Sequence, residues 1–275
     1  MKREDIGVCI LLIEGTNCED ETFHAFEALG ARPERVHLNQ LVRDVPREMR
    51  RSLEDYGVLV FPGGFSSGDY VRAGAIWAAR VKSRLMRDLV RFIDEGKLVV
   101  GICNGYQVLV ELGLLPAIGD VSDVPQAALA TNDSARYECR PSLLRFENGG
   151  LCSPLKGFQR GQVMLAPSAH TEGKLTFPKG EEKRMVEALL DGDQVLFRYV
   201  DAEGRYAGYP WNPNGSIYNI AGICDPHGNV LGLMPHPERS FHRYLHPDWT
   251  RGGNGLHGDG RLFFESLLDH ATKTS

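Results

Sequence analysis

In the stretch LVVGICNGYQVL, residues 98–109, a strand pattern changes into a helix pattern. Its first five residues predict a buried β-strand, and the residues after Cys103 predict a helix. Gly101 and Gly105 flank the cysteine, and small residues suit the sharp turn between the two elements. Such a turn exposes one side chain and aims the positive end of a helix dipole at it, which favours a thiolate. Cys103 is therefore a candidate nucleophile, and the alternative is a small buried hydrophobic residue.

A candidate base lies far downstream, in the segment LMPHPER of residues 233–239. A cysteine nucleophile needs a histidine to take its proton, and that histidine needs an acceptor to hold its ring. In an extended segment His236 and Glu238 point the same way, and Pro237 disfavours a helix there. We therefore predict a Cys103–His236–Glu238 arrangement, although the His-Pro-Glu segment alone also fits a surface loop.

Strands and helices alternate along the first half of the chain. The patterns predict strands over 6–13, 36–38, 56–61 and 98–102, with helices over 19–29 and 69–95 and another after Cys103. Asp69 would cap the start of the second helix and Gly96 would end it. This alternation predicts a parallel sheet with helices on both faces, in which ligands bind at the carboxyl ends of the strands.

The second half of the chain has a different pattern. Strands are predicted over 139–146, 195–199, 220–224 and 230–233, the last two joined by a turn over 225–229, and a final helix over 261–271. We expect antiparallel hairpins that add to the main sheet. The sequence contains no internal repeat and no low-complexity linker, so a single domain over residues 1–275 is expected.

Five segments together resemble one family. They are GTNCE at 15–19, PGGFSSGDY at 62–70, CNGYQ at 103–107, AHTEG at 169–173 and MPHPER at 234–239. The chain resembles the class I, triad-type glutamine amidotransferases, and among them the glutaminase subunits of phosphoribosylformylglycinamidine synthases. The resemblance implies an α/β, flavodoxin-like fold with a mostly parallel sheet flanked by helices and added antiparallel strands in the second half.

The resemblance also implies a reaction, the hydrolysis of glutamine to glutamate and ammonia. Cys103 would attack the side-chain carboxamide to form a thioester, while His236 moves protons and Glu238 orients His236. The backbone N–H groups of Gly64 and Asn104 would form the oxyanion hole.

Three further residues have open roles. Gln107 lies one helical turn after Cys103 and can face the same cleft, where the family implies a contact with the substrate. His170 is either a second substrate contact or a structural histidine, in a motif that typically has glycine at position 171. Arg239 either pairs with the carboxylate of Glu238 or faces a partner subunit.

The sequence has no kinase-like or ATP-grasp signature, so any ATP chemistry must lie on another polypeptide. The family resemblance implies which partners supply it. No cofactor is expected on this chain. ATP and magnesium would bind to a large synthetase subunit, which converts formylglycinamide ribonucleotide to formylglycinamidine ribonucleotide, and a small third subunit would complete the assembly. The ammonia would pass directly to that synthetase.

Composition excludes several other classes. A formal charge of −5 and a pI near 6.0 argue against a nucleic-acid partner. The six cysteines form no C-x-x-C pair, so no metal site is expected. No apolar run is long enough for a membrane span, and the first strand follows the N-terminus without a signal-peptide pattern, so a cytoplasmic protein is expected.

Other functions fit parts of the sequence. A stand-alone cysteine hydrolase similar to γ-glutamyl hydrolase would share Cys103 and His236 and be fully active alone. A non-catalytic regulatory subunit would have no chemical reason to keep Cys103, His236 and Glu238 together. The glycines at 63–68 suggest a phosphate loop, but the Gly-Lys-Ser/Thr ending of a P-loop is missing.

Two segments, 206–216 and 241–257, depart from the common small glutaminase subunit. Both look more like the glutaminase domain that is fused to the large single-chain synthetases. The second segment carries Tyr244, His246 and Trp249 and is either a docking loop or a mobile solvated loop.

Overall fold

A computed structural model of the chain describes residues 2–251 and 257–274. The helices are α1 (Glu19–Glu27), α2 (Leu38–Leu41), α3 (Ala75–Arg84), α4 (Met86–Asp94), α5 (Asn104–Glu111), α6 (Glu182–Asp191) and α7 (Arg261–Thr274). The strands are β1 (Gly7–Leu12), β2 (Arg32–His37), β3 (Val58–Phe61), β4 (Leu98–Ile102), β5 (Ala128–Thr131), β6 (Glu138–Phe146), β7 (Val163–His170), β8 (Glu172–Thr176), β9 (Val195–Val200), β10 (Ile220–Cys224) and β11 (Val230–Leu233).

Most of these strands form one mixed sheet, in the order β2-β1-β3-β4-β11-β10-β9-β6-β7. The neighbours from β2 to β11 pair in parallel, and those from β11 to β7 pair antiparallel. Strands β5 and β8 form a separate antiparallel pair. The predicted α/β architecture, with antiparallel strands added in the second half, is confirmed.

The pairing of β4 with β11 positions the candidate residues. The two strands are parallel, and their last residues, Ile102 and Leu233, are partners in the register. The backbone N–H of Cys103 donates to the carbonyl of Leu233 at 2.8 Å. Parallel neighbours end at the same edge of a sheet, so the chain leaves β4 at Cys103 beside the segment that leads to His236.

Strands β3 and β4 are buried along their whole length, as the runs of valine and leucine predict for a sheet covered on both faces. On one face Trp77 of α3 packs on Phe61, with ring centroids 5.4 Å apart. Elsewhere Phe264 of α7 meets Phe26 of α1 edge to face at 5.2 Å. These contacts pack helices against the sheet and against each other and so stabilise the central strands. No helix within the described residues is long and apolar enough to cross a membrane.

The prediction of one helix over 69–95 is wrong in two respects: the helix starts later, and it is interrupted. Asp69 has a φ of 53° and caps nothing, and α3 begins only at Ala75, after Gly74 with a φ of 76°. Leu85, with a φ of −123°, separates α3 from α4. The apolar spacing continues across this break, so periodicity alone does not register it.

The other differences concern strand ends and elements with weak patterns. Strand β2 runs from Arg32 to His37, and Leu38 starts α2 instead of ending the predicted strand 36–38. Strand β7 was not predicted; it contains Pro167, which argues against a strand, but β7 is the edge of the sheet, where proline is tolerated. Strands β5 and β8 and helix α6 were also not predicted.

Gly105 sets how closely α5 approaches β3. A Cβ at this position would lie 1.9 Å from the carbonyl oxygen of Phe61 and 2.5 Å from its carbonyl carbon. Both are backbone atoms of a buried strand, so they cannot turn aside as a flexible side chain can. Glycine is therefore required for the helix to reach the sheet.

We predict that Gly105→Ala lowers the free energy of unfolding by about 3 kcal/mol, although alanine has the better helix propensity by about 1 kcal/mol. Urea unfolding followed by circular dichroism measures the difference. Gly208→Ala is the matched control, because nothing lies within 4 Å of the added Cβ. Equal stabilities of the two variants would contradict this reading of the α5–β3 contact.

Candidate active site

Cys103 occupies the predicted turn between β4 and α5. Its backbone has a φ of 50° and a ψ of −106°, a conformation that residues with side chains rarely adopt. The side chain is buried, and Sγ lies 3.7 Å from the carbonyl oxygen of Ala169, to which the thiol donates. Strain of this kind persists only where the surroundings hold it, and it concentrates at functional sites.

His236 and Glu238 form a buried pair. Nδ1 of His236 lies 2.5 Å from Oε1 of Glu238, and the two side chains are 1% and 0% exposed. The backbone N–H of His236 donates to the carbonyl of Pro167 at 2.8 Å, which ties the segment to β7. Because Glu238 holds Nδ1, Nε2 is the free nitrogen, and it has no hydrogen-bond partner among the described residues.

Charge controls the protonation of this histidine. Burial acts to lower the pKa of His236, but the charges of Glu238 and then of Cys103 outweigh it and raise the pKa well above its usual value. An imidazolium at His236 is therefore favoured beside the carboxylate of Glu238. The structure brings together the three residues that the sequence predicted as a group.

The glycine pair after β3 lies beside this group. A Cβ on Gly63 would lie 2.7 Å from Cε1 of His236, and one on Gly64, whose φ is 147°, would lie 2.8 Å from the backbone nitrogen of Asn17. The bridge between Thr16 and Gly64 uses the backbone groups on either side of Gly64. The N–H of Gly64 therefore stays outside that bridge.

Asn104 begins α5, so its backbone N–H has no partner in the helical ladder. Its side chain connects neighbouring elements: Nδ2 donates to Oε1 of Gln107 at 2.9 Å and to Oδ1 of Asp69 at 3.3 Å, and Oδ1 accepts from the N–H of Ser66 at 3.3 Å. Gln107 in turn donates to the carbonyl of Glu172. Both polar groups of Gln107 are thus engaged in holding the site, and a direct contact with substrate stays a prediction.

A cavity of about 230 Å³ opens at Cys103. Its walls come from the glycine loop, the segment before α3, the first turn of α5 and the turn between β7 and β8. The lining residues are Gly64, Phe65, Asp69, Ala73, Cys103, Gln107, Ala169, His170, Thr171 and Glu172. Four of the seven predicted site residues therefore line one cavity, with His236, Glu238 and Asn104 buried behind it.

Two carboxylates in this cavity were not predicted as site residues. Asp69 lies in a run of positive φ angles that includes Ser67 and Val71. Burial, then the charge of Glu172, raises the pKa of Asp69 to about 6. Glu172 accepts from the N–H of Ala73 at 3.0 Å. An acidic residue straight after Gly68 was a signal of a loop rather than of a helix cap.

His170 is buried and neutral. Burial, reinforced by the charge of His236, lowers the pKa of His170 to about 3. Its Nδ1 lies 3.2 Å from Oδ1 of Asn132, whose amide nitrogen donates to two backbone carbonyls. The amide orientation of Asn132 therefore places the proton of His170 on Nδ1.

Cys18 is a second buried thiol at the site. Its Sγ accepts a hydrogen bond from Nη2 of Arg239 at 2.9 Å. The ion pairs within residues 2–251 and 257–274 include none between Arg239 and Glu238. Ligand atoms of Cys18, His236 and Glu238 lie within 4.8 Å of one another, but the adjacent guanidinium opposes a second cation, so the trio does not suit a metal ion.

Comparisons with known proteins show which family this chain belongs to. A family model described as a CobB/CobQ-like glutamine amidotransferase domain matches residues 5–270. The phosphoribosylformylglycinamidine synthase subunit PurQ of Archaeoglobus fulgidus is 53% identical, with 99% of this chain and 100% of the relative covered. The PurQ subunit of Picrophilus torridus is 45% identical, with 94% and 96% covered. This chain belongs to the glutamine amidotransferase family, as a PurQ-type member.

A solved structure extends the comparison to three dimensions. The PurLQS structure from Thermotoga maritima matches with a TM-score of 0.70 and 31% identity, over 97% of this chain and 99% of that chain. The match spans both the parallel and the antiparallel part of the sheet. The family and fold that the sequence motifs imply are confirmed.

The two segments that the sequence predicts to differ from the common small subunit, 206–216 and 241–257, lie at different places in the structure. In 206–216, Asn214 and Ser216 are buried and donate to the carbonyl of Gly173, behind the cavity wall, while Tyr209 is exposed. In 241–257, the rings of His242 and Tyr244 stack at 5.0 Å. The predicted docking loop includes residues 252–256, which lie outside the described residues.

We predict that Asp69→Asn makes this amidotransferase more heat-stable at pH 8 than the wild type, and that the difference shrinks at pH 4.5. The folded-state pKa of Asp69, about 6, is above the usual aspartate value of 3.8, so the folded chain binds this proton more tightly than the unfolded chain. The stability that this protonated carboxyl contributes is fully present below the unfolded-state pKa of 3.8, and it is lost as the pH rises through the folded-state pKa of about 6. The neutral amide of the Asp69→Asn variant does not lose it. Differential scanning calorimetry at both pH values measures it.

The exposed carboxylate of Asp191, at the end of α6, provides the control. Asp191→Asn should change the melting temperature by a similar small amount at both pH values. A destabilised Asp69→Asn at pH 8 would contradict the raised pKa.

Proposed function

We propose that this chain is the glutaminase subunit of a phosphoribosylformylglycinamidine synthase in purine biosynthesis. The observation that carries the proposal is the buried His236–Glu238 pair beside the strained Cys103, which lines a small cavity. The identity of 53% to a PurQ subunit over 99% of this chain supports this activity among those of the glutamine amidotransferase family.

Cys103 is the nucleophile in this proposal. Nε2 of His236 first takes the thiol proton, Glu238 stabilises the resulting imidazolium, and the thiolate then attacks the side-chain carbonyl of glutamine. The imidazolium then gives the proton to the departing nitrogen, so that ammonia leaves and a thioester forms on Sγ. Water then loses a proton to Nε2 of His236 and hydrolyses the thioester, which releases glutamate and restores the thiol of Cys103.

The oxyanion of each tetrahedral intermediate needs donors that are already in place. The N–H groups of Gly64 and Asn104 are both outside the backbone pairing of their elements and flank Cys103. Loss of one such donor costs about 10²–10³ in rate in other acyl-transfer enzymes. These two groups are the donors that we assign.

The two carboxylates in the cavity suit the cationic group of an amino acid. Asp69 and Glu172 line it together, and their mutual repulsion falls when an ammonium group lies between them. The α-ammonium of glutamine is the proposed occupant. His170 and Gln107 complete the walls as the proposed contacts to the rest of the substrate.

The ammonia must reach a second active site without meeting bulk water, which would protonate most of it near pH 7. Because the Thermotoga maritima match is a PurLQS assembly, we infer that a PurL-type synthetase subunit and a small PurS-type subunit are the partners. The synthetase would bind ATP, magnesium and formylglycinamide ribonucleotide and release formylglycinamidine ribonucleotide. We place the assembly in the cytoplasm and treat residues 1–275 as one glutaminase domain.

Two alternatives predict different behaviour. A stand-alone hydrolase similar to γ-glutamyl hydrolase would be as active alone as with the synthetase. A regulatory subunit without catalysis would leave glutamine intact under all conditions. The intact group of Cys103, His236 and Glu238 favours a catalytic role over the second.

We predict that Cys103→Ala lowers glutamine hydrolysis by roughly 10³-fold or more, because the proposed thioester forms on Sγ of Cys103. In the complex with the synthetase, synthesis supported by added ammonium salt should stay near the wild-type rate. Coupled assays with glutamine and with ammonium chloride measure the two activities. Cys139→Ser, which changes an exposed cysteine, is the control and should leave both unchanged. Residual glutamine hydrolysis by Cys103→Ala at the wild-type rate would overturn the assignment.

A further inference from the structure

Arg239 follows Glu238 in the chain, yet its guanidinium bonds to the sulfur of Cys18. Nη2 of Arg239 lies 2.9 Å from Sγ, and the thiol donates to Oδ1 of Asn17 at 3.4 Å. The Cys18 side chain is fully buried. Its sulfur therefore gives one hydrogen bond and receives another, and it is more than a small apolar filler.

The thiol lies against the proposed catalytic pair. Sγ of Cys18, a ring nitrogen of His236 and a carboxylate oxygen of Glu238 are all within 4.8 Å of one another. Gly63 leaves the space for this contact, because a Cβ there would lie 2.7 Å from Cε1 of His236 and 3.2 Å from Sγ. The backbone N–H of Cys18 donates to the carbonyl of Gly63 at 3.3 Å, which fixes the thiol in this place.

The two carboxylate oxygens of Glu238 differ in their hydrogen bonding. Oε1 bonds to His236, while Oε2 is buried without a hydrogen-bond partner in the part of the chain that the structure describes. A guanidinium is the strongest partner that a protein offers to a carboxylate oxygen, and Arg239 is the adjacent residue. An Arg239–Glu238 bond would neutralise the charge that His236 needs.

We infer that Cys18 is a positioning residue, whose sulfur holds the guanidinium of Arg239 away from Glu238 so that the carboxylate serves His236 alone. The inference rests on the proposed roles of Cys103, His236 and Glu238. Without the sulfur, Arg239 turns to Oε2 of Glu238, the imidazolium of His236 loses part of its stabilisation, and the Cys103 thiolate forms only at higher pH.

Alkylation of Cys103 by iodoacetamide tests this without glutamine or a partner. The full-length chain is treated between pH 5.5 and 9, and peptide mass spectrometry follows Cys103 and the exposed Cys139 separately. The variants are Cys18→Ala, Cys18→Ser, Arg239→Met and the double variant Cys18→Ala with Arg239→Met. Circular dichroism confirms that each variant is folded.

At pH 6.5 we expect Cys18→Ala to slow the alkylation of Cys103 by about tenfold, which corresponds to one pH unit in the thiolate fraction. Cys18→Ser keeps a hydroxyl that accepts from Arg239, so it should stay within about threefold of the wild type. Arg239→Met removes the competing cation, so the single variant should match the wild type and the double variant should regain its rate.

If Cys18 only fills space, Cys18→Ala and Cys18→Ser should alkylate Cys103 at similar rates. The double variant should then react more slowly than Cys18→Ala or Arg239→Met alone, and the midpoint of the pH profile should not change. That pattern would overturn the inference, and so would a slow Arg239→Met, because Arg239 would then support the thiolate directly. If wild-type Cys103 reacts no faster than Cys139, the proposed nucleophile itself fails. The coupled glutaminase assay tests the proposed function separately.

Discussion

The site depends on the buried contact between Nδ1 of His236 and Oε1 of Glu238, 2.5 Å long and closed to water. An isolated carboxylate would be costly to bury, and an isolated imidazole would be neutral at this depth. Together they place a proton on His236 beside the thiol of Cys103. The sheet makes this contact useful, because parallel β4 and β11 end side by side and deliver Cys103 and the histidine segment to one edge.

The surrounding backbone is arranged around that edge at a local cost. Cys103, Gly64 and Asp69 all have positive φ angles, and each lies at a wall of the same cavity. Glycine meets the requirement at one of the three, while the other two carry side chains in a strained conformation. Packing holds them: Asn104 bridges to Asp69 and Ser66, and α5 lies directly on β3. Positive φ angles also occur away from the cavity, for example at Arg43 and Asp193, but at Cys103 and Asp69 they belong to residues that line it.

The sequence predicts the centre of the molecule better than its edges. Runs of valine and leucine identify β3 and β4 because both strands are buried on two faces, and the motif around Cys103 identifies the turn. Cys103, His236 and Glu238 were predictable because their chemistry demands one another. Asp69 was misread, since its spacing suits a helix cap and only the φ angles of its loop show otherwise. The contact between Cys18 and Arg239 joins residues 221 positions apart in the chain, and no local pattern encodes it.

The most direct measurement is an NMR titration of His236 in the chain alone, with ¹³C and ¹⁵N labels in histidine and a His236→Asn variant to assign the signals. The chemical shifts of the ring distinguish an imidazolium from a neutral imidazole. We expect His236 to stay an imidazolium to a higher pH in the wild type than in Glu238→Gln, because the charge of Glu238 raises its pKa. A neutral His236 in the wild type at pH 7, unchanged by Glu238→Gln, would contradict this expectation.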